Sequence, residues 1–228
     1  MAIPKILHFV WIGPEMPDIY QRSLDRWKEL HPDYEIMFWD GIPKQMAGDL
    51  KTLIHTLPFY CQKSDIIRYW AIYNYGGMYF DLDEYPYRSV DELRKYKAFT
   101  AVQYNRLVAC ACLGSEKHSE QYKMVMDTVR RRAKRGLKRR CDYGPSMLST
   151  RHIREVFRKP GAIIGPDSWF YIEPPKKKKQ CVEFAFADLE GKDKWIEDRK
   201  SKFRDGVTPY AVHLWGWKGS SFRKVGQK

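Results

Sequence analysis

The sequence contains no apolar run near the roughly 18 residues that a membrane-spanning helix needs, so no such helix is expected within it. Its N-terminus, MAIPKILHFVWIG, lacks the order of basic segment, apolar stretch and small-residue cleavage site that marks an export signal. Cysteines are five (Cys61, Cys110, Cys112, Cys141 and Cys181), odd in number and without C-x-x-C spacing. That pattern supports neither a disulfide framework nor a zinc site, and fits a reducing cytoplasm. Cys110 and Cys112 fall on one face of an expected strand, as small buried side chains do. Internal repeats and Gly/Ser linkers are also missing. With 228 residues and 43% hydrophobic content, a single domain over 1–228 is expected, large enough for one substantial core.

Acidic residues are the scarcer charge: 28 Asp and Glu stand against 41 Lys and Arg, for a formal net charge of +13. The excess favours polyanionic partners, namely phosphorylated small molecules, anionic lipid head groups or nucleic acid. The plain alternative is a solvated cationic surface that keeps the chain soluble. The densest run spans Arg130 to Arg140, and a second, Lys176 to Lys179, follows Pro174-Pro175.

What is present reads as alternating strands and helices, an α/β fold. Ile3 to Ile12 is apolar and β-branched and stops at Gly13-Pro14, as a buried strand inside a sheet would. A helical pattern opens at Pro17-Asp18 and stops before Pro32, and Tyr34 to Trp39 alternates as a second strand. Ser64 is a candidate N-cap for a helix running to Tyr75 and ending at Gly76-Gly77, with a short strand from Met78 to Asp81 after it. Further strands are expected at Ala98–Gln103, Leu107–Leu113 and Tyr210–Trp215, with helices at Ser119–Lys134 and from Gly144-Pro145 to Phe157.

Two carboxylates at Asp81 and Asp83 end the Met78 strand, where a period of two sends both to one side and Leu82 to the core. Hard oxygen ligands so arranged suit Mg²⁺ or Mn²⁺ with a diphosphate completing the shell. Alone the triplet is weak, since chance supplies such a pattern roughly three or four times in a chain of this composition. Upstream, Asp65, Arg68 and Tyr69 share one helix face. The tight Gly76-Gly77 turn would lay that helix beside the Asp81 strand. The plain alternative is an exposed ion pair between Asp65 and Arg68, worth a few tenths of a kcal/mol. His8 reads as a hydrogen-bonded core histidine.

The string Lys63-Ser64-Asp65-Ile66-Ile67-Arg68-Tyr69, followed by Tyr75-Gly76-Gly77-Met78-Tyr79-Phe80-Asp81-Leu82-Asp83, closely resembles the S-D-x-x-R-Y…Y-G-G-x-Y-x-D-x-D block of DXD-containing glycosyltransferases. The opening Ile3 to Gly13, and Ser23, Trp27, His31 to Tyr34 and Trp39, resemble the same family, which includes mannosyltransferases, capsular-polysaccharide enzymes and the sugar-transferring domains of large clostridial toxins. The resemblance implies a GT-A fold with a mixed sheet, a nucleotide-sugar and metal-binding core over 1–84, and an acceptor side over 85–228. It implies a retaining, metal-dependent transfer from a nucleotide diphosphate sugar, UDP favoured and GDP the alternative, to a glycan, glycolipid or other hydroxyl. By the same resemblance Trp11 stacks on the nucleobase, and the backbone at Val10 and Ile12 meets its edge. Asp65 and Arg68 bind sugar hydroxyls, Asp81 contacts ribose, and Asp83 ligates the metal. Tyr69, Gly77 and Trp217 join the donor contacts. His213 and Lys218 resemble an H-x-x-G-x-x-K ending, with Lys218 one residue early; they imply a third metal ligand and a diphosphate contact. Asp142, ahead of Gly144-Pro145, is a fourth candidate catalytic residue beside Asp65, Arg68 and Asp81.

Paired carboxylates on a basic chain also describe a metal-dependent nuclease, and the basic runs describe a non-catalytic polyanion-binding module. Within the transferase reading, modified nucleic acid stands as an alternative acceptor. The expected location is cytoplasmic, with peripheral attachment to the inner membrane face as an extension.

Overall fold

The computed structural model describes residues 2–103, 106–136, 139, 142–171, 178–202 and 208–215. Its centre is a six-stranded mixed sheet of order β2-β1-β3-β6-β5-β7. Strand β1 (Ile6–Val10) pairs in parallel with β2 (Glu35–Trp39) and β3 (Gly77–Phe80). Strand β6 (Val108–Ser115) runs antiparallel to both β3 and β5 (Ala98–Val102), and β7 (Ala162–Gly165) closes the edge parallel to β5. β1 is therefore interior, and its near-continuous apolar run follows from burial on both faces. Leu7 and Phe9 join Met78 and Phe80 in one core, while Val10 joins Tyr79 and Leu113 in the other.

The first core is covered by α1 (Asp18–Leu30), whose Trp27 stacks on Phe80 at 4.3 Å. α7 (Lys178–Phe186) and α8 (Leu189–Glu197) lie on the same side, contributing Phe184 and Ile196. The second core is covered by α2 (Gly48–Thr56), α3 (Tyr60–Tyr75), α4 (Glu120–Lys134), the single-turn α5 (Pro145–Leu148) and α6 (Arg151–Phe157). A separate antiparallel ribbon joins β4 (Glu84–Pro86) to β8 (Ala211–His213). Among the described residues, no helix is long and apolar enough to cross a membrane.

Two expectations are corrected. Ser64 does not cap α3, which begins a turn earlier; the Ser64 hydroxyl instead accepts from Arg68 Nη2 at 3.2 Å. The helix after Gly144-Pro145 is broken at Ser149-Thr150, where the Ser149 hydroxyl accepts from the Val108 N–H (2.8 Å) and is drawn to the sheet. At the other end of α3 the two glycines are required. Gly76 (φ +71°) would put a Cβ 2.8 Å from Lys117 N, and Gly77 (φ +92°) one 2.6 Å from the Ile6 carbonyl oxygen.

His8 is a core residue as expected: Nε2 donates to the Gly76 carbonyl (2.8 Å) and Nδ1 accepts from Trp39 Nε1 (3.3 Å). Burial pushes its pKa down from 6.5 to about 4, against the pull of the Gly76 carbonyl. The unfolded chain thus binds the extra proton first, and stability is lost as pH falls from 6.5 toward 4. The expected loss is on the order of 3 kcal/mol. His8→Gln, whose amide N–H can still reach Gly76, is expected to remove that component. Urea denaturation of both proteins at neutral and acid pH checks it; equal losses in the two contradict it.

Candidate active site

The chemistry-bearing residues gather where β1 and β3 end. β1 delivers Val10, which is buried, then Trp11 and Ile12, which are partly exposed. The Trp11 backbone N–H continues the pairing with β2 by donating to Trp39 O (2.9 Å), and its indole donates to Pro14 O (2.7 Å) with the ring 5.2 Å from Tyr20. Trp11 is thereby fixed at the rim with part of its surface open.

At the end of β3, Asp81 stays attached to β6 through its N–H to Ala111 O (2.9 Å). The chain then turns rather than continuing as a strand: Glu84 N donates to Asp81 O (2.9 Å). Leu82 is buried as expected, but the alternation argument does not place the two carboxylates, because a turn sets their directions. Asp81 faces α3, and Asp83 faces β8.

On α3, Arg68 lies between two acids, with Nη2 3.2 Å from Asp65 Oδ1 and Nη1 3.0 Å from Asp81 Oδ1. Nη1 also donates to Cys110 O (2.6 Å), and the guanidinium sits 4.6 Å from the Tyr79 ring centre. The Tyr79 hydroxyl donates to the same Asp81 oxygen. Asp65 and Arg68 side chains are only 6% and 5% exposed, which rules out the weak surface pair. Burial raises the Asp65 carboxyl to about 7 despite the attraction of Arg68. Burial opposes the Arg68 charge, but Asp81 and its neighbours prevail and hold it firmly protonated.

Across the turn, Asp83 Oδ1 lies 3.7 Å from His213 Nε2, with side chains 14% and 11% exposed. Register explains the meeting: Glu84 pairs with His213 in the β4–β8 ribbon, and Leu214 N donates to Asp83 O (2.7 Å). The imidazole stacks on Tyr171 (5.0 Å), and its Nδ1 accepts from Trp215 N (2.9 Å). That bond assigns the ring hydrogen to Nε2, which then faces Asp83 and, at 3.9 Å, Glu84. Cation ligation through Nε2 requires the other tautomer and loss of the Trp215 contact.

Glu84 is the residue that sequence reasoning missed. It is fully buried, neither carboxyl oxygen has a hydrogen-bond partner within ordinary distance among the described residues, and burial, then Asp83 and Asp81, pushes its pKa well up against the pull of the Tyr171 hydroxyl. Its backbone carbonyl is held by Ser23 Oγ (3.2 Å) and Trp27 Nε1 (2.9 Å) from α1. No local pattern carried the signal, because the turn at Leu82-Asp83 interrupts the alternation and Glu84 is enclosed by its pairing with β8.

The remaining candidates separate. The Asp142 carboxylate accepts from Arg139 N (2.6 Å) within its own turn. Gly144, two residues on, borders Asp65, where a Cβ would stand 3.3 Å from Oδ2. Tyr69 is buried and donates to Tyr143 O (2.8 Å), fixing that loop against α3. Gly77 does not join the group: it opens β3 against Ile6 and His8, at the opposite end of the strand from Asp81. Trp217 and Lys218 lie outside the described residues.

The donor set around the turn suits a hard divalent cation in kind: carboxylates, partly accessible at Asp81 (26%) and Asp83 (14%), with an imidazole nearby. Among the described residues, no three such groups converge as a closed cage. A cation there would draw its other ligands from water and phosphate oxygens, as Mg²⁺ commonly does.

Residues 17–100 match a family model described as a glycosyltransferase sugar-binding region containing a DXD motif. Inositol phosphoceramide mannosyltransferase 2 of Schizosaccharomyces pombe is 30% identical over 138 residues, covering 58% of this chain and 40% of that protein. The chain thus spans two fifths of that curated relative's length. Among solved structures, PaToxG glycosyltransferase superposes with a TM-score of 0.53 at 15% identity over 92% of this chain and 88% of its own. The ligand-free glycosyltransferase domain of the YGT toxin gives 0.54 at 12% identity over 90% and 91%. The sheet and helices are those of a GT-A fold, and within it residues 17–100 are similar to the sugar-binding regions of DXD-containing glycosyltransferases.

Proposed function

We propose that the chain transfers a sugar from a nucleoside diphosphate to a hydroxyl of a glycolipid, with retained anomeric configuration and dependence on Mn²⁺ or Mg²⁺. The observation that carries this reading is the turn bearing Asp81 and Asp83, tied through Arg68 to buried Asp65 within the segment that matches the family. The relative's name adds mannose as the sugar and an inositol phosphoceramide as the acceptor class.

In this reading Trp11 holds the base, and the backbone at Val10 and Ile12 meets its edge. Arg68 fixes both acids: Asp65 toward sugar hydroxyls, and Asp81 toward the ribose through the oxygen that Arg68 and Tyr79 leave free. Asp83 holds the cation, with Asp81 and His213 as further candidates. When bound, the cation supplies positive charge opposite the departing diphosphate. Asp65 is bound to Arg68 and Asp142 to its own turn, so neither is offered as a covalent nucleophile. The acceptor oxygen then bonds to the anomeric carbon on the face from which the phosphate oxygen leaves, and that oxygen takes the acceptor proton.

Screening UDP- and GDP-hexoses for release of free nucleotide tests this. Turnover of one donor with Mn²⁺, lost on chelation, is the expected outcome. No release from any donor, with a glycolipid acceptor present, contradicts it.

A further inference from the structure

The basic excess is concentrated on one side. Residues 120–135 and 151–159, helices α4 and α6 with their C-terminal extensions, carry ten Lys or Arg against three acids, an excess of seven in a chain of net +13. The three acids are already matched there: Glu120 with Lys159, Asp127 with Arg130, and Glu155 with Arg151. Arg131, Lys134, Arg135 and Arg158 have no carboxylate partner among the described residues. The helices form one surface, with Thr128 Oγ1 3.1 Å and Arg131 Nη2 3.4 Å from His152 Nε2. The adjoining β5–β6 connection is tied to it by Arg154 Nη2 donating to Arg106 O (2.7 Å), and presents the exposed Leu107.

We propose that this face, with Leu107 at its margin, docks the protein on an anionic lipid bilayer. Cations in such excess are far more than a helix C-terminus needs for its own dipole. The face is built from two packed helices, so several cations can meet a charged plane together. An exposed aliphatic tip within a basic field suits the acyl boundary. Base stacking, which gives single-stranded nucleic acid much of its affinity, finds no exposed aromatic on α4 or α6. A second copy of this chain would bring the same positive charge to the contact.

The face also adjoins the candidate site. Arg132 at the end of α4 donates to Asp142 O, and Gln62 of α3 donates to Arg139 O (2.8 Å). Asp142, so held, stands two residues before Gly144, which borders Asp65. Docking would thus bring the Asp65 side of the site to the membrane. The docking relies on the lipid-acceptor reading for its purpose but not for its geometry.

Sedimentation with phosphatidylcholine vesicles, with and without phosphatidylserine, tests it on the full chain. The wild type is expected to pellet with the anionic vesicles only, and less as salt rises. The combined Arg131→Glu, Lys134→Glu, Arg135→Glu and Arg158→Glu protein is expected to bind at least about a hundredfold more weakly. The same four positions changed to Gln guard against misfolding and are expected to give an intermediate loss, with donor turnover unchanged in both. Equal binding to neutral vesicles, undiminished binding by either variant, tighter binding to duplex DNA at the same salt, or self-association through these residues overturns the proposal. Docking with no donor turnover would contradict the proposed activity alone, and turnover without docking would contradict the surface alone.

Discussion

Arg68→Ala is expected to destabilise the chain by roughly 3–5 kcal/mol, the usual effect of removing one partner from a buried ion pair. The size follows from what Arg68 holds. Its guanidinium serves Asp65, Asp81 and the Cys110 carbonyl from within the second core, and with alanine two carboxylates lose their shared counter-ion. Burial already raises Asp65 to about 7 with the cation present, so without it that carboxyl moves further up and takes a proton at neutral pH. Arg68→Lys retains a charge but not the fork that reaches both acids, and falls between. Urea denaturation followed by circular dichroism checks the ranking. An alanine variant within about 1 kcal/mol of wild type would mean that the triad is an ordinary surface pair after all.

Asp83→Asn is expected to have a large effect of the opposite kind: transfer falls by at least about a thousandfold while the fold is retained. The Asp83 side chain keeps some exposure, and the bond that docks Leu214 onto this residue uses its backbone carbonyl, which the substitution preserves. Loss of charge beside the diphosphate acts on the barrier rather than on packing. Rates at saturating donor, with melting curves in parallel, separate the two. Full activity of the variant in excess chelator contradicts a role for Asp83 in holding a cation.

The elements that position the site were legible because short-range chemistry specifies them. β1 and β3 are apolar on both faces, and a left-handed turn at Gly76-Gly77 ends α3 and starts β3. The spacing of Asp65 and Arg68 put both on one helix face, and the return of the chain brought Asp81 to them. What spacing did not reveal was the depth of that face, since burial depends on β6 and on the Tyr143-Gly144 loop far along the chain. The Asp83 and Glu84 environment was hidden for the same reason: it is made by β8, whose register with β4 no local pattern reveals. α2, α7 and α8 were missed because each is nine residues long with a narrow apolar stripe. Ser64 misled because a cap residue inside a helix can direct its hydroxyl to a side chain, here Arg68.

If the Asp81–Asp83 turn binds a nucleoside diphosphate through a divalent cation, nucleotide affinity depends on that ion. Isothermal titration of UDP and of GDP into the protein, with and without Mn²⁺, measures this directly. One of the two is expected to bind with Mn²⁺ at least about tenfold more tightly than without it, and that gain is expected to vanish in Asp83→Asn. Identical affinities with and without the ion, or an undiminished gain in the variant, contradict it.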